Sequence, residues 1–264
     1  MVGAVWVSGG SYEAYVGRWS RRVAAEFVAL LGVPGGRRWL DVGCGTGALT
    51  EAVLAAADPA GVLGVDPSAG FLDTARSRVT DPRARFEAGD ARSLPVPDRA
   101  FDAVVSALAL NFVPEPATAA GEFARVAAPG GVVAAYVWDY GDGMAMMRHF
   151  WDAAAELDPA AAELDEGRRF TLCTPAGLDA LWRGAGLAGV STAPIEIPTV
   201  FADFADYWNP FLGGQGAAPA YLMSLPAGHR DELRERVRTR LPVAADSSIA
   251  LTARAWTVSG TAVG

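Results

Sequence analysis

The chain has 264 residues, 51% of them hydrophobic, enough for one large α/β domain carrying a cap. Its formal charge of −8 disfavours nucleic acid or an anionic membrane as the main partner, because phosphate recognition needs a basic footprint. All 22 basic residues are Arg, which excludes Schiff-base chemistry, a P-loop Lys and a Lys general base, and two Cys with two His suggest neither a disulfide framework nor a metal site.

In chain order, the spacing of apolar residues predicts a helix over 11–32, leading to Pro34-Gly35-Gly36. Strand one is Arg38–Val42, followed by a helix from about Ala48 to Ala57. Strand two, Val62–Val65, ends at Asp66, and Ser68 is placed to cap a helix running to Val79. Arg85–Ala88 is strand three, ending at Gly89-Asp90, and Phe101–Ser106 is strand four. Glu115–Val126 is helical, and Pro129-Gly130-Gly131 turns the chain into strand five, Val132–Trp138. This alternation implies βαβ units and a parallel sheet. Residues 141–170 read as helical, and Thr174 caps a helix to Gly186 with Pro175 in its first turn. Gly189–Val200 is a strand, 202–240 is aromatic and then helical at Asp231–Arg240, and Ile249–Ser259 is a final strand. No N-terminal leader pattern is present and no apolar run approaches the roughly 18 residues of a membrane span, so a soluble cytoplasmic protein is expected.

Asp41-Val42-Gly43-Cys44-Gly45-Thr46-Gly47 is the most informative stretch. An apolar strand ends at an acid, enters a turn with Gly at alternate positions and continues into a helix. That order makes a nucleotide-type cofactor site, because Gly lets a ligand approach the backbone and a helix N-terminus offers free N–H groups. Asp41, Asp66 and Asp90 end three successive strands, so three carboxylates are expected along one sheet edge. Asp66, about twenty residues past the Gly turn, suits the ribose hydroxyls, and Asp90 suits an exocyclic adenine amine. Gly43 to Ala48 also fits the dinucleotide pattern G-x-G-x-x-G/A. Asp41 beside a pyrophosphate argues against a nicotinamide dinucleotide, and so does the second acid, Asp90.

The first motif resembles that of class I S-adenosylmethionine-dependent methyltransferases. Gly64-Val65-Asp66-Pro67-Ser68 resembles the second motif and Gly89-Asp90-Ala91 the third. The run from Ser93 to Val104 and the turn Arg125 to Gly131 are similar to the ubiquinone/menaquinone-type branch, methyltransferase type 11. Tyr12 to Arg21 resembles an N-terminal helix of some members. The resemblance covers about residues 11–140. It implies a Rossmann-like, seven-stranded, mostly parallel sheet with an antiparallel last strand: one methyltransferase domain over 1–264, with an N-terminal helical segment over 1–35 and helical cap insertions at 141–170 and 202–240.

Carried over by position, the resemblance assigns S-adenosyl-L-methionine to Asp41, Gly43, Cys44, Gly45, Gly47, Asp66, Pro67, Asp90, Ala91 and Ala107. Tyr15 or Arg18 is a candidate for the methionine carboxylate, the competing role being to pin the N-terminal helix. Methyl transfer needs alignment and exclusion of water more than a strong catalyst, so a base is optional; the candidates are Asn111, Asp139, Tyr140 and His149. Trp138, Tyr140, Met147 and Trp208 are candidate walls for a small, largely apolar or aromatic acceptor, the competing role being core packing. The alternatives are a nicotinamide-dependent oxidoreductase and a non-catalytic S-adenosylmethionine-binding protein.

Overall fold

The computed structural model describes residues 13–214 and 216–264. Residues 1–12 of the expected N-terminal segment, and Gln215 within the expected second insertion, lie outside the described residues. The chain divides into two compact units. The larger comprises Ser20–Val137, Leu172–Ile195 and Ala255–Gly264; the smaller takes the residues up to Trp19, Trp138–Thr171 and Glu196–Arg254.

The chain carries a seven-stranded sheet of order β3-β2-β1-β4-β5-β7-β6, whose first four strands in that order lie wholly in the larger unit. The strands are β1 (Arg38–Val42), β2 (Gly61–Asp66), β3 (Ala84–Ala88), β4 (Phe101–Ala107), β5 (Ala127–Trp138), β6 (Ala188–Phe201) and β7 (Ile249–Thr261). β1 through β5 pair in parallel. β7 runs antiparallel to β5: Gly130 N donates to Ala262 O and Ala262 N to Gly131 O, each at 2.9 Å. The central strands read as near-continuous apolar runs because both sheet faces are covered, and Leu40, Val42, Val104, Val133 and Val137 are all buried.

Helices α1 (Arg18–Leu31), α2 (Ala48–Ala56), α3 (Ala69–Arg78) and α4 (Pro116–Val126) follow the expected order, and α1 is preceded by a π-helical turn, Glu13–Gly17. Ser68 caps α3 by accepting from Phe71 N. The expected turn at Pro129–Gly131 is instead taken into β5, which starts at Ala127. Gly130 supplies a positive φ of 76° there, and the pairing with β4 slips between Phe101 and Ala103, so an irregular strand absorbs the turn.

The helix expected over 141–170 is three pieces: α5 (Ala145–Leu157), a 3₁₀ turn (Pro159–Glu163) and α6 (Glu166–Arg169). Pro159 cannot donate to the helical ladder, and the two aspartates before the breaks cap new turns: Asp158 accepts from Ala160 N and Asp165 from Gly167 N. α7 (Pro175–Gly184) starts as expected, with Thr174 Oγ1 accepting from Gly177 N. The 202–240 region contains α8 (Phe204–Trp208), a 3₁₀ turn (Asn209–Gly213), α9 (Ala217–Ser224) and α10 (Ala227–Arg240).

The smaller unit has an aromatic core. Phe150 stacks on Phe211 at 4.7 Å, Trp208 lies 5.9 Å from both Phe204 and Phe211, and Tyr15 meets Phe211 edge-on at 5.2 Å. Period-3/4 spacing in the sequence gives this packing directly.

Candidate functional site

The larger unit brings the Gly turn and the ends of β1, β2 and β3, which carry Asp41, Asp66 and Asp90, to one edge of the sheet. After β1, Gly43 N and Cys44 N both donate to Val65 O, and Gly47 N donates back to Cys44 O, closing a tight turn before α2. Two glycines are needed for different reasons. A Cβ on Gly43, at φ 72°, would sit 2.5 Å from Ala109 Cβ, so the loop after β4 can approach only a bare backbone. Among the described residues, Gly45, at φ 53°, has no heavy atom other than its own and its chain neighbours' within 4 Å of where its Cβ would be, so its half-buried backbone is left open on that side.

Asp66 fastens this turn to the end of β2. One carboxylate oxygen accepts from Gly45 N at 3.0 Å and the other from Ser68 N at 2.8 Å. Each oxygen keeps a lone pair, which is what two ribose hydroxyls require. Burial pushes the Asp66 carboxyl up, against the lowering effect of the two amides. Asp41 is fully buried and accepts from Thr50 Oγ1 at 2.7 Å through one oxygen, while the other has no hydrogen-bond partner among the described residues. Burial raises its carboxyl to about 7, with the charge of Asp66 adding in the same direction.

The other expected cofactor residues are placed as follows. The Cys44 side chain turns into a small core with Leu72, Val79 and Phe86, leaving its backbone to the turn, and burial pushes the thiol well above its ordinary range. Pro67 is exposed after β2, and Ala91 packs at the margin of the main core. Asp90 is held by Arg92, whose Nη2 donates at 2.6 Å and backbone N at 2.9 Å; that neighbour keeps the carboxyl down at about 2. Ala107 ends β4 opposite Tyr136. The next residue, Leu108, escaped the sequence reading: it holds φ 58°, a strained value for a non-Gly residue, with its N–H donating to Tyr136 O. Asn111 donates to Cys173 Sγ at 3.2 Å, and its buried Oδ1 has no partner.

The remaining candidates belong to the smaller unit. Arg18 pairs with Asp206 at 2.8 Å and lies over the rings of Trp19 and Phe201 at 4.5 and 4.8 Å, contacts of the kind a pinning role requires. Tyr15 is buried against Phe211. Asp139 accepts from Arg254 Nε at 2.8 Å and from Asp142 N at 3.0 Å, so it is an ion-pair partner, not an uncommitted base. His149 is half-buried on α5, and burial lowers its pKa, which favours the neutral imidazole. Tyr140 packs edge-on against Phe170 at 5.5 Å. Trp138, Met147 and Trp208 are all under 5% exposed, as core residues are.

A methyltransferase-domain family model matches residues 40–135, the span from β1 to the middle of β5. The trans-aconitate 2-methyltransferase of Methylobacterium radiotolerans is 33% identical over 180 residues, covering 62% of this chain and 66% of that protein. A demethylmenaquinone methyltransferase of Staphylococcus aureus is 37% identical over 117 residues, 44% of this chain and 47% of the relative. The chain thus spans between about half and two thirds of the length of these relatives. A phosphoethanolamine N-methyltransferase of Haemonchus contortus, solved with S-adenosyl-L-methionine, shares the fold: the TM-score is 0.60 at 17% identity, over 95% of this chain and 56% of that one. With the Gly turn, the Asp66 anchor and the 3-2-1-4-5-7-6 sheet already in place, residues 40–135 belong to the type 11 branch of the class I S-adenosylmethionine-dependent methyltransferases.

Proposed function

We propose that this chain transfers a methyl group from S-adenosyl-L-methionine to a small, largely apolar or aromatic acceptor. The observation that carries the reading is Asp66, tied to Gly45 N and Ser68 N with a lone pair to spare on each oxygen. Bound there, the cofactor supplies a methyl group already activated by the sulfonium charge. What the chain supplies is placement. Asp66 would take the ribose, the bare backbone at Gly45 would lie against the ligand, and the acidic pair Asp41 and Asp66 would favour its positive charge. The aromatic content of the smaller unit supports a role for 141–170 and 202–240 in choosing the acceptor. Neutral His149 is the side chain there best suited to accept an acceptor's proton.

The relatives named above are methyltransferases with small-molecule acceptors in their names, which favours the same class here. The acidic balance of the chain disfavours nucleic acid as acceptor. No described helix is long and apolar enough to cross a membrane, and Cys44 and Cys173 are both buried and not joined in a disulfide, which suits a reducing cytoplasm. The test is turnover: S-adenosylmethionine is offered with phenols, quinols, carboxylic acids and amines, and S-adenosylhomocysteine is quantified against methylated product. One-for-one formation with any acceptor supports the reading. Tight S-adenosylhomocysteine binding without turnover on any class would favour a non-catalytic binding protein instead.

A further inference from the structure

In the smaller unit α10 carries Arg230, Arg234, Arg236, Arg238 and Arg240 against Asp231, Glu232 and Glu235, and only Leu233 and Val237 are buried. Its charges follow two patterns. On one side the spacing is favourable: Arg236 Nη2 donates to Glu232, four residues earlier, at 2.7 Å, and Arg240 pairs with Glu156 of α5. On the other, Arg230, Arg234 and Arg238 recur at intervals of four, so like charges line one helix face, which costs the helix stability. Among the described residues neither Arg230 nor Arg238 forms an ion pair, and Arg234 reaches only Glu235, its chain neighbour, at 2.9 Å. Asp231 flanks the row without pairing with it.

Two of these guanidiniums are held in place. Phe204, the first residue of α8, lies against α10, and the guanidinium carbons of Arg234 and Arg238 stand 5.2 and 5.3 Å from the centre of its ring. The ring attracts each cation through its quadrupole. One aromatic side chain thus orders two like charges that solvent would otherwise leave free to move. A merely solvated helix gains nothing from the like-charge spacing or from the ordering. A helix that meets an anionic partner gains from both, because guanidiniums already spaced and oriented lose less freedom on pairing.

From Arg230 to Arg238 the row rises about 12 Å along the helix axis. That is longer than a single phosphate or carboxylate group, and it matches acids repeated at one-turn intervals. The formal charge of −8 on the whole chain opposes a polyanion such as nucleic acid or an anionic bilayer, whose field acts on the entire surface, whereas a short acidic segment meets mainly the row. We propose that Arg230, Arg234 and Arg238 form a docking surface for an acidic helical segment of a partner protein, whose carboxylates take the guanidinium forks. The docking surface does not depend on the methyl-transfer reading above.

The experiment measures, by fluorescence anisotropy at low ionic strength on the full chain, the binding of a labelled alanine-rich helical peptide with Glu at every fourth position and of the same peptide with Gln in those places. The expected result is that the Glu peptide binds at least about tenfold more tightly, that Arg234→Gln combined with Arg238→Gln erases the preference, and that Arg236→Gln, on the paired side, leaves it within about threefold. Arg238→Lys keeps the charge without the planar fork and should lose only part of it. Equal binding of the two peptides to the wild type, or a preference that survives the double variant, would overturn the proposal. So would tighter binding of a duplex oligonucleotide or of phosphatidylserine vesicles at the same anion concentration, or self-association in sedimentation that Arg238→Gln abolishes, since the face would then serve nucleic acid, a membrane or a second copy of the chain. The wild-type comparison of the two peptides stands even where a variant fails to fold.

Discussion

Replacing Asp66 by Ala should weaken cofactor binding by about 3 kcal/mol. The carboxylate has two free lone pairs, one on each oxygen, because Gly45 N and Ser68 N occupy the others. Two ribose hydroxyls donating to a charged acceptor contribute about 1.5 kcal/mol each at the low end of such bonds, so the loss corresponds to roughly 150-fold in Kd. A second effect acts on the loop. Ala leaves the Gly45 and Ser68 amides without their acceptor, so the turn loosens and the loss should exceed that of Asp66→Asn, which retains one oxygen. The stability cost is smaller than these bonds suggest, since the substitution also removes a carboxylate whose ionisation burial disfavours. Calorimetric titration of S-adenosylhomocysteine into wild type, Asp66→Asn and Asp66→Ala reads both effects in order. Affinities within threefold of one another would refute the assignment of Asp66 to the ribose.

Gly45→Val should lose at least about a hundredfold in S-adenosylhomocysteine affinity with the circular dichroism spectrum intact, since the new side chain enters open space and costs only the strain of its positive φ, about 1–3 kcal/mol. Asp41 makes stability fall with pH: its folded-state pKa of about 7 lies above the ordinary 3.8, so stability is highest below about pH 4 and is lost as pH rises to about 7. Between about pH 5 and pH 8 that loss is about 2–3 kcal/mol; urea melts should show it shrinking in Asp41→Asn, with the Asp66 share remaining, and an unchanged slope would refute the shift. Trp208→Ala should cost about 3–5 kcal/mol of stability, because this side chain is 4% exposed in the aromatic core; an unmoved urea midpoint would show that Trp208 is a free pocket wall.

The legible parts of this molecule are those written in local chemistry. β1 and the start of α7 fall where the apolar run and the Thr174-Pro175 pair place them, since strand period and capping act over a few residues. The same holds for the ends of β1 and β2, where acid and glycine follow a buried strand. The break of the 141–170 helix was also local, at Asp158-Pro159 and Asp165, but the Met and aromatic periodicity on either side masked it. What sequence could not give was partnership at long range. Nothing near Asp139 announces Arg254, 115 positions away, which turns a candidate base into half of an ion pair. Glu166 looks like one member of a charged run, Asp165-Glu166-Gly167-Arg168-Arg169, and only tertiary packing against Trp151 shows that it is buried. Arg18 was open between the methionine carboxylate and a pinning role, and its pairing with Asp206, 188 positions away, is likewise invisible in the sequence.

A crystal structure of the chain with S-adenosylhomocysteine tests the central claim most directly. The account predicts both ribose hydroxyls within hydrogen-bond distance of the Asp66 carboxylate, and ligand atoms in van der Waals contact with the Gly45 backbone, where, chain neighbours aside, no atom of the described residues stands within 4 Å of the Cβ position. A ligand bound elsewhere, or one in the crevice whose ribose faces away from Asp66, would contradict it.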